Sequence, residues 1–436
     1  MSEILAILMF CVTFLLIFSG YPVAFVLSGS ALLFFCIGTI GDFFPFSIIE
    51  FMPNRIYSIM SNNLLLAIPY FIFMGNILRK TKLAEDLLLS MGKLFGNTRG
   101  GVGVAVIIVG TLLAASTSIV AASVVTMGLI SLPVMLDQGY SKQYSTGIII
   151  AAGTLGQMIP PSIVLIALSD QLNVSVGDLF QSALIPGLIL AGGYIIYTLA
   201  LGKIRPEHLP QLPKNDYRSS SSSKLIDLVL TSIFPPLALI VIVLGSIFLG
   251  VATPTEAGAL GAIGAIGIAS MKKTVNIYTI YEASKETIKT VAMVMFLLIG
   301  STFFVLIFRG FNGDQLFMNF LTSLPGGQVG FILVVSIVIF ILGFFIDFFE
   351  IIFIVVPLIE PSALALNIDL VWLGIIICLN IQTSFLTPPF GFSLFFLRSV
   401  APSEVRTVDI FKGVIPFIII QLATLIVVYF FPQIIK

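Results

Sequence analysis

The chain has 436 residues, of which 58% are hydrophobic and 10% are charged, and its net charge is zero. Soluble domains carry about 25% charged residues, so this composition excludes a soluble enzyme, a nucleic-acid-binding protein and a disordered protein. Its long unbroken apolar runs also exclude a transmembrane β-barrel, whose strands alternate in segments of about 10 residues. Because about 20 apolar residues cross a bilayer as a helix, we expect an all-α polytopic membrane protein with roughly ten crossings.

Cysteine, histidine and nucleotide chemistry is not expected. The three cysteines, Cys11, Cys36 and Cys378, lie inside apolar runs and resemble small hydrophobic residues. The only histidine, His208, lies in a polar loop. Glu3 directly precedes the first apolar run, which therefore resembles a retained helix more than a cleaved signal peptide. No P-loop motif occurs, so energy would come from an ion gradient or from another subunit.

The apolar runs predict both simple crossings and turns inside the membrane. The predicted crossings are 3–18, 22–40, 64–78, 144–170, 178–202, 228–250, 255–271, 290–312, 370–397 and 407–431. Two further stretches, 101–134 and 327–358, are too long for one crossing and too short for two. Each has small or polar residues near its middle, which predicts two re-entrant helical hairpins whose turns are covered by protein.

The positions of the basic residues support this layout. If both hairpins turn back, all but three of the 21 basic residues lie on one side of the membrane. The exceptions are Arg55, Arg309 and the terminal Lys436. Since basic loops remain in the cytoplasm, both chain termini are predicted to be periplasmic.

The two halves of the chain repeat the same order of elements. A crossing that begins Gly-Tyr-Pro at 20–22 corresponds to one that begins Thr-Pro-Thr at 253–255. Arms near 50–60 and 276–289, the two hairpins, and two broken helices with a Pro-Pro pair then follow. The paired first crossings run in opposite directions, which is the inverted repeat of secondary transporters, with the ligand site between discontinuous helices.

This repeat divides the chain into five predicted parts. They are the N-terminal helices and scaffold arm of the first repeat at 1–100, its hairpin and broken helix at 101–202, a cytoplasmic linker at 203–227, the scaffold and arm of the second repeat at 228–326, and its hairpin and broken helix at 327–436.

The first hairpin is predicted to break at residues 114–118, Ala-Ala-Ser-Thr-Ser. Hydroxyl and backbone oxygens there suit Na⁺, and freed helix ends favour ions of either sign. Small residues also allow close helix packing, and this alternative stays open. The partner segment 153–162, Gly-Thr-Leu-Gly-Gln-Met-Ile-Pro-Pro-Ser, favours the functional interpretation because it interrupts a helix at membrane depth.

The second hairpin is predicted to break at residues 343–347, with Glu350 soon after. Asp347 and Glu350 lie among phenylalanine and isoleucine, where carboxylates are costly and usually functional. They could neutralise a cation or take a proton. A structural pair with Arg309, or exposure to a water-filled vestibule, is the alternative. Glu256 follows a proline at a helix start, which favours a structural capping role.

Six segments resemble the large membrane subunit of tripartite ATP-independent periplasmic (TRAP) transporters. They keep the family order over nearly the whole chain and lie at 68–75, 114–118, 153–162, 252–258, 343–347 and 386–389. The resemblance implies a scaffold and a transport domain that moves like an elevator, coupled to Na⁺. The first tip lacks a glycine common in the family. The second has the Asp-Phe-x-Glu form, which resembles a subgroup associated with 2-oxo acids, lactate and related monocarboxylates.

The resemblance also implies roles for individual residues. One Na⁺ site would use Ser116, Thr117, Ser118, Gly153 and Thr154. A second would use Gly343, Asp347, Gln382 and Thr383, with Glu350 in a charge-coupling role. The substrate cavity would be shaped by Gly156, Pro160, Pro161, Thr387 and Pro388. No arginine lies in these segments, so Na⁺, hydroxyls and helix N-termini would have to hold a carboxylate.

The partners implied are a small four-helix TRAP membrane subunit, a periplasmic substrate-binding protein, the lipid bilayer of a bacterial inner membrane and a small organic anion. No nucleic acid and no cofactor besides the coupling Na⁺ are expected. Two alternatives stay open. The first is a stand-alone Na⁺- or H⁺-coupled carboxylate transporter of the same superfold. The second, an intramembrane enzyme using Asp347 and Glu350, is disfavoured because both acids lie on one short segment.

Overall fold

The computed structural model describes residues 1–81, 91, 95, 98–117, 119–210 and 234–435, with the backbone alone for residues 114–117. Within this part of the chain the regular elements are helical. The α-helices are α1 (Ser2–Ile17), α2 (Val23–Ile40), α3 (Phe51–Met60), α4 (Ala67–Lys80), α5 (Gly101–Thr117), α6 (Val120–Asp137), α7 (Lys142–Thr154), α8 (Ile163–Leu172), α9 (Val176–Ile204), α10 (Phe234–Phe248), α11 (Pro254–Met271), α12 (Ile277–Gly310), α13 (Gly313–Thr322), α14 (Gln328–Leu342), α15 (Phe348–Ala365), α16 (Leu370–Leu386), α17 (Phe392–Val400) and α18 (Thr407–Phe430). Short 3-10 turns span Phe46–Glu50, Leu155–Gln157 and Pro432–Ile435.

Six described helices are each long and apolar enough to cross a membrane: α2, α6, α9, α12, α15 and α18. Four of them match predicted crossings, and α6 and α15 are the second legs of the predicted hairpins. Length alone therefore does not separate a hairpin leg from a crossing. The other predicted crossings are shorter, less apolar or broken into two pieces, so the number ten stays a prediction.

Both predicted hairpins are present as pairs of adjacent helices. α5 packs against α6 and α14 packs against α15. The second tip lies at residues 343–347, as predicted, between the end of α14 and the start of α15. The first tip comes later than predicted, because residues 114–117 continue α5. That segment contains neither glycine nor proline, so nothing in it ends the helix early.

Both predicted broken helices are also present. α7 has 13 residues and α8 has 10, so the two pieces are about 20 and 15 Å long. They are separated by the turn Leu155–Gln157 and by the Pro160-Pro161 pair. In the second half, α16 and α17 are separated by Pro388-Pro389. Both proline pairs contain a cis peptide bond.

The helix packing repeats with the two halves exchanged. α2 packs along α12, and α11, the helix equivalent to α2 in the other half, packs along α4. The second leg of each hairpin also contacts the far piece of the other half's broken helix, α6 with α17 and α15 with α8. These reciprocal contacts are those of an inverted repeat. The first break, residues 155–162, is buried, whereas Pro389 and Phe390 of the second break are exposed.

Two details differ from the sequence-based expectations. The arm at 276–289 and the crossing at 290–312 form one continuous helix, α12. The second leg of the second hairpin, predicted to end at residue 358, continues to Ala365, so Glu360 lies within α15. Residues 211–227 of the predicted linker and 228–233 of the next predicted crossing lie outside the described residues.

A polar cluster joins the two halves at one end of α4. Glu286 on α12 pairs with both Arg79 and Lys80, the latter at 2.7 Å. Beside them, the buried Asn76 Nδ2 donates to Thr287 Oγ1 at 3.1 Å. Partly exposed ion pairs contribute little individually, but the buried hydrogen bond fixes the register of α4 against α12.

Glu256 has the capping role that its position indicates. The Thr253 N–H donates to Glu256 Oε2 at 2.8 Å, and the Glu256 N–H donates to Thr253 Oγ1 at 3.3 Å. This reciprocal pair of hydrogen bonds is a capping box at the N-terminus of α11, with Thr253 as the cap directly before Pro254.

Candidate functional site

The candidate site is the region where each hairpin tip contacts the broken helix of its own half. In the first half, Gly153 lies at the end of α7 against Val124 of α6. A Cβ at Gly153 would lie 2.7 Å from Val124 Cγ2 and 3.2 Å from its backbone N. Only glycine allows this approach. The predicted ion-site residues Gly153 and Thr154 are thereby next to the start of the second hairpin leg.

The second half repeats this contact with different residues. Gly343 ends α14, and a Cβ there would lie 2.0 Å from Ser384 Oγ. The tip therefore contacts α16 one residue beyond Thr383 and two beyond Gln382, both predicted ion-site residues. Ser384 itself was not assigned a role from the sequence. Its fully buried hydroxyl, facing a required glycine, makes it a further candidate for the site.

Asp347 and Glu350 form a capping box at the start of α15. The Asp347 N–H donates to Glu350 Oε2 at 3.0 Å, and Asp347 Oδ1 accepts from the Phe348 N–H at 2.7 Å. The alternative of a structural ion pair between these acids and Arg309 is wrong. Among the described residues Arg309 pairs with Asp314, whose Oδ2 atom lies 4.0 Å from Arg309 Nε. The two acids thus hold the freed helix N-terminus at the second tip.

Hydroxyl groups line the breaks and donate to their own helices. Thr154 Oγ1 donates to the Ala151 carbonyl at 2.9 Å, and Thr383 Oγ1 donates to the Leu379 carbonyl at 2.7 Å. Thr387 Oγ1 donates to the Thr383 carbonyl at 2.8 Å. A hydroxyl whose hydrogen is used in this way presents only lone pairs to its surroundings, which suits a cation.

The predicted substrate residues lie in the two breaks themselves. Gly156 is in the turn between α7 and Pro160-Pro161, while Thr387 ends α16 directly before Pro388. A serine hydroxyl closes each break: Ser162 donates to the Gln157 carbonyl at 2.6 Å, and Ser393 donates to the Phe385 carbonyl. Gln157 and Phe385 each stand three residues before the proline pair, so the two breaks are built alike.

One part of the predicted site is incompletely described, and one candidate residue was not predicted. Ser118 lies outside the described residues, and only the backbone is described for Ser116 and Thr117, which end α5. Gln157 was noted in the sequence without a role. It is fully buried in the turn that packs between α5 and α16. A glutamine three residues before a double proline in an apolar run is the signal that could have identified it.

Comparison with known proteins agrees with this architecture. Residues 10–434 match the family described as "Tripartite ATP-independent periplasmic transporter, DctM component". The chain belongs to the DctM family of TRAP transporter large permeases. It is 31% identical over 384 residues to a C4-dicarboxylate TRAP transporter large permease protein DctM of Pseudomonas aeruginosa, covering 87% of each chain.

Other DctM relatives carry different substrate names. The chain is 27% identical to a sialic acid TRAP transporter large permease protein SiaM of Vibrio cholerae, covering 96% of this chain and 94% of that one. The fold is similar to the crystal structure of the Alcanivorax borkumensis YdaH transporter. The TM-score is 0.62 at 15% identity, covering 88% and 89% of the two chains. This DctM protein is therefore an integral inner-membrane protein and a secondary transporter subunit.

Proposed function

We propose that this DctM subunit imports a small organic anion, a carboxylate, by an elevator motion driven by a Na⁺ gradient. A periplasmic binding protein delivers the anion to the outer face, and a small four-helix membrane subunit braces the scaffold. The pair of glycine contacts carries the proposal. Gly153 against Val124, and Gly343 against Ser384, bring a hairpin tip and a broken helix together twice, in halves of opposite orientation.

The chemistry of the two contacts supports an ion-coupled mechanism. Each contact contains hydroxyls that present lone pairs, Thr154 in the first half and Thr383 in the second. A cation bound there would hold the hairpin against its helix and so link ion binding to closure of the cavity. Two matched contacts in an inverted repeat also suit a protein that alternates between two related states.

The relatives' names support an anion as substrate and leave its class open. They name C4-dicarboxylates, sialic acid and, for a DctMQ permease of Oleidesulfovibrio alaskensis that is 28% identical, isethionate. All are anions. Within this range we propose a monocarboxylate such as lactate or a 2-oxo acid, because of the Asp-Phe-Phe-Glu sequence at the second tip.

Reconstitution tests the proposal directly. The subunit is placed in proteoliposomes with its small membrane partner, and uptake of labelled lactate, pyruvate and succinate is measured with the binding protein outside. We expect uptake only with an inward Na⁺ gradient and with the binding protein present. Uptake that persists without the binding protein, or that follows a proton gradient alone, would favour the stand-alone transporter.

A further inference from the structure

Two buried glutamines in the breaks have amide groups without protein partners. Gln157 and Gln382 are both 0% exposed. Neither the Nε2 nor the Oε1 atom of either side chain has a hydrogen-bond partner among the described residues. Other polar side chains nearby are bonded: Asn380 Nδ2 donates to the Ser336 carbonyl at 2.7 Å, and Ser384 Oγ donates to the Ile381 carbonyl at 2.7 Å.

The two amides belong to different halves and come from neighbouring backbone. Cys378 Sγ of α16 donates to the Gln157 carbonyl at 3.2 Å, so the Leu155–Gln157 turn lies against α16. Gln382 follows Cys378 by four residues and is therefore on the same face of α16. The first hairpin leg, α5, covers the other side of the turn. Gln157 thus lies between the first hairpin and the second broken helix, and Gln382 lies on the face of α16 that meets this turn.

Buried amides without partners are costly, and evolution usually removes them unless a ligand uses them. The chemistry here indicates the sign of that ligand. The threonine hydroxyls of the breaks have donated their hydrogens and present lone pairs. The two amides bring four N–H groups and two carbonyl oxygens that are not used by described residues. The N–H groups are donors to an anion, which hydroxyls that have donated their hydrogens cannot supply. Arg79 Nε, at the end of α4, is the other unpartnered buried side-chain N–H in the described part of the chain.

We propose that Gln157 and Gln382 hold the carboxylate of the transported anion, doing with neutral N–H donors what an arginine does elsewhere. This inference rests on the proposed function and refines it, because it moves Gln382 from the ion site to the substrate site. Amide donors recognise a carboxylate without adding a fixed positive charge, which would repel a Na⁺ ion bound nearby.

The amides could bind the carboxylate, coordinate Na⁺ or have a structural role, and replacement by methionine and by glutamate separates these three roles. Gln157→Met and Gln382→Met keep the length of the side chain and remove the N–H groups. We expect each to raise the lactate or pyruvate concentration for half-maximal uptake about tenfold or more, without lowering the melting temperature. Gln382→Glu adds a negative charge beside the carboxylate, so we expect it to abolish uptake. If Gln382 were a Na⁺ ligand instead, Gln382→Glu would preserve uptake.

Gln421 is the matched control. It is also a fully buried glutamine, but its Nε2 donates to the Tyr194 hydroxyl at 2.9 Å. Gln421→Met should lower the melting temperature and leave half-saturation unchanged. If Gln157→Met and Gln382→Met behave like Gln421→Met, the amides are structural and the inference is overturned. If the wild-type complex transports no carboxylate at all, the proposed function fails first and this inference fails with it.

Discussion

The Asn62 Nδ2 atom donates to Asp170 Oδ1 at 2.6 Å, across 108 positions of the sequence. Asn62 lies in the turn between α3 and α4, in the predicted scaffold, and Asp170 lies near the end of α8, in the predicted transport half. The second Asp170 oxygen accepts from Gln171 Nε2 at 2.7 Å. The hydrogen bond between Asn62 and Asp170 therefore links two parts that an elevator motion would separate.

If the elevator motion occurs, fixing this contact should stop transport. We expect Asn62→Cys with Asp170→Cys, joined by a short thiol cross-linker, to lose most of its uptake. The background would carry serine at Cys11, Cys36 and Cys378. Lys142→Cys with Glu404→Cys is the control, because Lys142 Nζ and the Glu404 carbonyl are 2.9 Å apart and both residues lie in the predicted transport parts, 101–202 and 327–436, which would move together. Normal uptake in the cross-linked Asn62 and Asp170 variant would refute the separation.

The glycine contact at the second tip makes a prediction about close packing. Gly343→Ala would place a methyl group 2.0 Å from Ser384 Oγ, so the tip has to move away from α16. We expect uptake to fall strongly and to return in part when Ser384→Gly is added. Gly267→Ala is the control, since nothing lies within 4 Å of its added Cβ. Equal uptake by Gly343→Ala and Gly267→Ala would show that the contact is dispensable.

The capping box at α15 makes a prediction that separates charge from hydrogen bonding. Glutamine at position 350 can still accept from the Asp347 N–H, whereas alanine cannot. We expect Glu350→Gln to keep uptake and Glu350→Ala to lower the free energy of unfolding by about 1 kcal/mol. Uptake and thermal stability measured on the same preparations check both. Loss of uptake in Glu350→Gln with unchanged stability would instead assign the charge-coupling role to Glu350.

Much of the fold could be predicted because apolar length and charge placement constrain a membrane protein tightly. Two stretches of intermediate length predicted the hairpins, and the proline pairs predicted both broken helices. The exact tip of the first hairpin could not be predicted, since residues 114–117 have no helix-breaking residue. The continuity of α12 was also missed, because the change from polar to apolar residues along this helix was interpreted as a boundary between an arm and a crossing.

The site was predicted less completely, for a physical reason. Sequence identifies polar residues in an apolar run but does not tell which of them bond to their own helix. Asp347 and Glu350 have the spacing of a capping box, so their role at the start of α15 was available from the pattern. The lack of protein partners at Gln157 and Gln382 depends on the packing of α5 and α16, which no local pattern encodes.

The Na⁺ dependence of uptake tests the prediction that the Thr383 hydroxyl is a Na⁺ ligand. Thr383→Val keeps the shape of the side chain and removes the oxygen. We expect it to raise the Na⁺ concentration for half-maximal uptake about tenfold, equivalent to about 1.4 kcal/mol of ion binding. Thr424→Val is the matched control. Thr424 Oγ1 is also buried and donates to the carbonyl four residues before it, at 2.9 Å, but lies on α18, which is neither a hairpin leg nor part of a broken helix. If both variants shift the Na⁺ dependence equally, the effect comes from lost helix hydrogen bonds and Thr383 is not an ion ligand.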